Sequence, residues 1–126
     1  MVKINPNAPL YSIGVVEEIL KIPQRILRFY EEKGVITPSR SDSNRRLYSQ
    51  KDLEKIEYIH YLTHIKRVNL AGVKEIFDLL DKLKDPEREK LIRAVEEEIK
   101  LLPKEKKKIY QEGKDEIIID KTLLED

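Results

Sequence analysis

The sequence predicts a mainly α-helical chain carrying one small β-hairpin, and three observations predict it. Through most of the 126 residues, apolar side chains recur at steps of three and four behind helix-starting residues. One stretch, Thr37 to Tyr48, breaks that rhythm with Ser, Asp, Asn and Arg, the composition of a turn between two short strands. Hydrophobic residues make up 40% and charged residues 39%, a mix that suits exposed helices around one modest core.

Met1 to Pro9, with two prolines and two asparagines, is expected to be an irregular arm. Ser12 is placed to cap a first helix over Ile13 to Leu20, with Ile13, Val16, Ile19 and Leu20 on its buried side. Lys21 and Ile22 turn the chain into a second helix, roughly Pro23 to Lys33. Pro23 suits the first helical position and Gly34 ends the helix. On it Ile26, Leu27 and Tyr30 fall at packing intervals, while Gln24, Arg25 and Arg28 fall on the other side. Two short helices joined this tightly form a helix-turn-helix unit, whose second helix normally enters the DNA major groove. The hairpin follows, with its tip near Ser41–Asn44 and Arg45, Arg46 and Tyr48 on the returning strand.

Ser49 caps a long third helix reaching about Lys66, with Leu53, Ile56, Ile59, Leu62 and Ile65 on its apolar side. Asn69 opens a fourth helix to about Leu83. Asp85-Pro86-Glu87 is another start signal, and Ile92, Val95, Ile99 and Leu102 then make a two-heptad seam. Few residues remain to cover that seam, so it is expected to pair with the same helix of a second chain. Pro103 interrupts it, Lys104 to Glu112 is charged and helix-compatible, and Ile117 to Ile119 lie in an acidic tail. Residues 1–84 are thus expected to form one domain, and residues 85–126 a dimerisation helix with a short extension.

Net charge is +1, which by itself makes no case for nucleic acid, but the distribution does. Residues 1–50 hold eight Lys/Arg against five Asp/Glu; residues 86–126 hold ten against twelve. Between Lys21 and Tyr48 stand seven basic residues (Lys21, Arg25, Arg28, Lys33, Arg40, Arg45, Arg46) against three acidic ones. Five of the seven are arginines, whose planar fork suits phosphates and guanine edges. A basic helix followed by a basic hairpin points to a winged DNA-binding element, against the blander reading of a solvated basic face paired with Glu31 or Glu32.

The absence of cysteine removes disulfides, thiolate catalysis and zinc-finger ligation. No apolar run approaches ~18 residues and no signal peptide is evident, so a soluble cytoplasmic protein is expected, with no membrane partner. There is no glycine-rich phosphate loop and no nucleophile–base arrangement, so neither enzyme activity nor a cofactor is expected. His60 and His64 stand four apart, a spacing able to hold zinc or nickel. With no third ligand they are expected to be ordinary, partly exposed residues, and no metal is assigned.

Tyr11-Ser12-Ile13-Gly14, Arg25-Ile26-Leu27-Arg28-Phe29-Tyr30-Glu31-Glu32-Lys33-Gly34-Val35-Ile36, Pro38, Arg45-Arg46-Leu47-Tyr48-Ser49 and Asp52-Leu53 resemble the DNA-binding domain of MerR-family regulators, in order and spacing. The resemblance covers roughly Leu10 to Leu83. Val68 to Val73 also resembles the start of helix 4 in the HspR branch of heat-shock repressors. The resemblance implies a winged helix-turn-helix transcription regulator acting as a homodimer on a pseudo-palindromic operator, with double-stranded DNA and promoter-bound RNA polymerase as partners. It implies that Gln24 and Arg25 meet base edges or nearby phosphates, and that Arg28 and Tyr30 contact the backbone. Tyr11 would brace the backbone, and Arg45, Arg46 and Tyr48 would belong to the wing. The HspR likeness implies repression with a DnaK-type chaperone as co-repressor, reached through the apolar tail. The alternatives are a MerR-type activator that distorts a long promoter spacer, or a small architectural, excisionase-like DNA-binding protein. Two departures stand out: many relatives have Gly where Arg67 stands, and Pro103 limits the pairing helix to about 17 residues after Pro86.

Overall fold

The structure, a computed structural model, describes residues 5–115. It is mainly helical, with one small antiparallel sheet, and the chain divides into two compact units. The first holds the residues up to Glu57 together with Lys114; the second holds Tyr58 to Gly113.

The first unit begins with β1 (Tyr11–Ser12), α1 (Ile13–Leu20) and α2 (Gln24–Glu32), followed by β2 (Ser39–Arg40) and β3 (Arg46–Tyr48). Ser12 caps α1 by accepting from the Val15 N–H. Lys21, left-handed at φ 60°, turns the chain out of α1, and its N–H closes on Glu17 O. Lys114 also donates from Nζ to Leu20 O at 2.9 Å, a cation on the exposed carbonyls of that helix end. Pro23 is extended and caps α2 from outside, so the helix starts one residue later than the Pro23 start expected from sequence. Gly34, at φ 73°, supplies the left-handed turn after α2.

The sheet order is β1-β3-β2. Tyr11 lies opposite Tyr48 and Ser12 opposite Leu47, while Ser39 faces Leu47 and Arg40 faces Arg46. The hairpin is thus where the sequence placed it; β1 was not foreseen. Val16, Ile22, Ile26, Leu27, Ile36 and Ile56 are buried in this unit's core. Each contributes about 1.5–3 kcal/mol of burial, which holds two short helices that would not persist alone. Ile19 departs from expectation: it is 52% exposed and, with exposed Val15 four residues earlier, lies on the outer side of α1. The buried pair Val16 and Leu20 takes the inner side.

α3 (Gln50–His64) opens in the first unit with a reciprocal cap. Ser49 Oγ accepts from the Asp52 N–H, and Asp52 Oδ2 accepts from the Ser49 N–H. Its last turns lie in the second unit, where every residue from Ile59 to His64 is buried. His60 and His64 are therefore core residues, 1% and 4% exposed, and not the partly exposed pair expected. Arg67 follows at φ 57°, so the left-handed turn expected of glycine is made by arginine.

α4 (Leu70–Asp81) is capped by Asn69 and buries Val73 and Phe77. α5 (Asp85–Lys100) has Lys84 at its cap and Asp85 as its first residue, one position off the expected Asp85 cap. Arg88 fixes the turn, donating to Leu80 O and Leu83 O and pairing with Asp85 at 2.7 Å. After Pro103, α6 (Lys104–Glu112) buries Tyr110. The His60 Nε2–H donates to Tyr110 O at 2.6 Å, and the two histidine rings sit 4.1 Å apart, centre to centre. That contact explains their burial: α6 returns over the end of α3, a pairing fifty residues apart in sequence. Gly113 allows it, because a Cβ there would stand 2.8 Å from His64 Cδ2.

Candidate nucleic-acid interface

Seven of the eight sequence-predicted contact residues lie on α2 and the β2–β3 hairpin and the eighth, Tyr11, on β1, all in the first unit. Arg25 and Arg28 are exposed along α2, whose buried side is Ile26, Leu27 and Tyr30. Lys33, at the end of α2, is also exposed and stands 5.5 Å over the Phe29 ring.

Gln24 is half-buried and already engaged. Its backbone N–H donates to Glu17 Oε2 at 3.1 Å and its Nε2 to Glu17 Oε1 at 3.4 Å. Its Oε1 accepts from Arg28 Nη2 at 3.0 Å. Glu17 was not singled out from sequence, since its partner lies on the next helix, seven residues on.

At the hairpin, Ser41 N–H donates to Arg45 O, Arg45 N–H donates to Ser41 Oγ, and Asn44 takes the left-handed conformation at φ 63°. This short, fixed tip leaves the Arg45 side chain exposed. Arg46 is turned inward. Its Nε donates to Glu31 Oε1 at 2.6 Å, and Arg40 Nη2 donates to both oxygens of the same carboxylate, at 3.0 and 3.2 Å. One α2 carboxylate thus joins both strands of the hairpin to the helix. Glu31, the helix-end partner expected for the arginines, pairs with two of the hairpin, Arg40 and Arg46.

The tyrosines sit deeper. Tyr11 is half-buried on β1, opposite Tyr48, and Tyr30 is 4% exposed. Tyr48 is fully buried, and among the described residues its Oη has no hydrogen-bond partner. Burial, partly countered by Arg46, pushes its phenol up to about 12. It forms the floor of the hairpin rather than its surface.

The residues assigned to pairing lie in the second unit. Ile92, Val95, Ile99 and Leu102 are all half-buried, and no residue of α5 is fully buried within this chain. Leu91 and Leu101 beside them are 48% and 76% exposed. Tyr61 Oη donates to Glu98 Oε2 at 2.5 Å, which fixes α5 to α3 by its polar side. Burial and that carboxylate raise the Tyr61 phenol. Among the described residues no group of three or more acidic or histidine side chains is placed to hold a metal, and no helix is long and apolar enough to cross a membrane.

A family model described as the MerR HTH family regulatory protein matches residues 11–80. The HTH-type transcriptional regulator GlnR of Bacillus anthracis is 37% identical over 70 residues, 56% of this chain and 54% of the relative. The heat shock protein HspR of Streptomyces coelicolor is 30% identical over 77 residues, 61% and 51%. The HTH-type transcriptional regulator CueR of Escherichia coli O157:H7 is 32% identical over 80 residues, 61% and 55%. The chain spans about half the length of these curated relatives. GlnR and CueR are named as transcriptional regulators, and none of the three is named as an enzyme.

Proposed function

The chain belongs to the MerR helix-turn-helix family, and from that premise we propose that it is a homodimeric, sequence-specific DNA-binding regulator of the HspR-like repressor kind. The observation that carries the reading is the concentration of exposed Arg25, Arg28 and Arg45 on one helix and one adjoining hairpin, on a core that holds both in place. In this reading α2 enters the major groove, where Arg25 meets base edges and Arg28 the flanking backbone. The hairpin is the wing, with Arg45 reaching neighbouring phosphates while Arg40 and Arg46 are held through Glu31. Tyr11, Tyr30 and Tyr48 support this surface from beneath, a more structural role than the phosphate contact expected of Tyr30.

The seam Ile92, Val95, Ile99 and Leu102 pairs with its copy in a second chain. Its half-burial supports this, because the described residues leave the row partly uncovered. The pair of chains binds an inverted repeat in the cytoplasm, at the nucleoid, next to the polymerase site it controls. Residues 1–84 serve reading and 85–126 pairing. Likeness to HspR supports repression, with a DnaK-type chaperone as co-repressor; the tail proposed to dock it, Ile117 to Ile119, lies outside the described residues.

The test is to sequence genomic fragments retained by the purified protein at moderate salt, with Arg25→Ala as control. One inverted repeat, lost in the variant, is the expected result; its position before chaperone genes would support the HspR-like reading, and footprinting with transcription assays would separate a repressor from an activator. Retention without a shared sequence would replace the proposal with an architectural DNA-binding protein that bends without reading.

A further inference from the structure

We propose that Glu17, on α1, is a positioning residue for DNA recognition, acting through Gln24 to hold the Arg28 guanidinium in place. The inference rests on the DNA-reading role proposed for α2 and adds a residue to it.

The starting point is a missing cap. Pro23 occupies the cap position of α2 and has no side-chain acceptor, so the first N–H of the helix needs one from elsewhere. Glu17 Oε2 supplies it, accepting from the Gln24 N–H at 3.1 Å. A carboxylate at that end also suits the partial positive charge of the helix N-terminus.

The same carboxylate does a second thing. It can only accept, so it draws the Gln24 amide nitrogen toward itself, 3.4 Å from Oε1. The amide oxygen is then turned the other way, toward Arg28 one helical turn on, where it accepts from Nη2 at 3.0 Å. A guanidinium can only donate. A flipped amide would therefore set acceptor against acceptor at Glu17 and donor against donor at Arg28. The row carboxylate, amide, guanidinium has a single satisfied orientation, and it fixes one edge of an otherwise exposed Arg28. With one donor and one acceptor of its amide engaged, Gln24 holds Arg28 in this arrangement.

Charge alone predicts the opposite behaviour, which makes the role testable. Glu17 places a negative group beside a helix meant to meet phosphates, so removing it should strengthen binding to any duplex. Removing a positioning residue should weaken binding to the preferred duplex only.

The experiment uses the full chain. A duplex enriched by the wild-type protein from a random-sequence library, and a scrambled version of it, are titrated against Glu17→Ala, Gln24→Ala, the two combined, and the Glu17→Ala/Pro23→Ser double variant, with melting temperature measured on each. The expected result for Glu17→Ala is about tenfold weaker binding to the enriched duplex and unchanged or tighter binding to the scrambled one. Gln24→Ala should lose as much discrimination, and combining it with Glu17→Ala should add nothing. In the double variant the serine restores a local cap, so melting temperature returns while discrimination does not.

If Glu17→Ala binds both duplexes more tightly, Glu17 is only a charge, and if the double variant regains discrimination, Glu17 is only a cap. Either result overturns the proposal while the DNA-reading role of α2 stands. A wild-type protein that enriches no sequence would overturn that role, and this inference with it.

Discussion

Substituting Glu31 by alanine should loosen the hairpin from α2, and the size of the effect follows from three contacts. The carboxylate accepts from Arg46 at 2.6 Å and from Arg40 at 3.0 and 3.2 Å. Unit charges 3–4 Å apart attract by about 4–5 kcal/mol at an effective dielectric near 20. The Glu31, Arg46 and Arg40 side chains are 20%, 25% and 40% exposed, so solvent screening and side-chain ordering remove most of that. About 1 kcal/mol should remain for the Arg46 pair and about 0.5 for the more exposed Arg40. Glu31→Ala is then expected to cost about 1–2 kcal/mol, lowering the melting temperature by roughly 4–8 °C in a chain of this size. A double-mutant cycle with Arg46→Ala, followed by circular dichroism at low and high salt, isolates the pair. Its coupling should be about 1 kcal/mol at low salt and smaller at high salt. Binding adds a second signature, because the variant frees two guanidiniums and loses one negative charge. Affinity for random duplex should rise, and its salt dependence should steepen by about one to two phosphate equivalents. A coupling indistinguishable from zero, or one insensitive to salt, would refute the view that Glu31 clamps the hairpin.

Tyr48→Phe removes a buried hydroxyl that lacks a partner among the described residues and should raise the urea midpoint, by about 1 kcal/mol of stability. Because Tyr48 ionises at about 12 when folded but near 10 in the open chain, wild-type stability should fall as pH rises from 10 toward 12. The variant should lose the part of that fall that belongs to Tyr48. Gly113→Ala drives a methyl into the His64 ring and should cost about 1–3 kcal/mol in denaturant unfolding, recovered in part by adding His64→Ala. Ile99→Asp, on the proposed seam, should halve the mass seen by sedimentation while leaving the helical signal nearly unchanged.

The parts of the fold legible in sequence are those specified locally. Ser12, Ser49 and Asn69 each bind a backbone N–H three residues on, so the helix starts they mark need no knowledge of the rest of the chain. The hairpin tip is equally local, closed by Ser41, Asn44 and Arg45. What escaped depends on partners far away. β1 is two residues long, and only its pairing with Tyr48 and Leu47 makes it a strand. Ile19 fits a helical apolar stripe as well as Val16 does, and only the position of the core decides between them. The two histidines looked like surface residues because nothing near them in sequence announces α6 and its Tyr110 carbonyl. At the candidate site, residue type identified the arginines, but the carboxylates that hold Arg40 and Arg46 directly and Arg28 through Gln24 appear only when helices and hairpin meet.

Among the described residues, three sharp turns, at Lys21, Asn44 and Arg67, place side-chain-bearing residues at φ near 60°, where glycine is the usual occupant. Lys21 and Arg67 add local strain to the native state, an energetic cost that changes little with temperature, whereas Asn44 tolerates the left-handed turn. Each also denies the denatured chain the extra freedom a glycine would give it, and that entropic handicap of the denatured chain grows in proportion to temperature. Exchanging Arg67 for glycine therefore trades one against the other, relieving the turn while widening the ensemble it must compete with. The chain with arginine therefore gains relative to the glycine form as temperature rises.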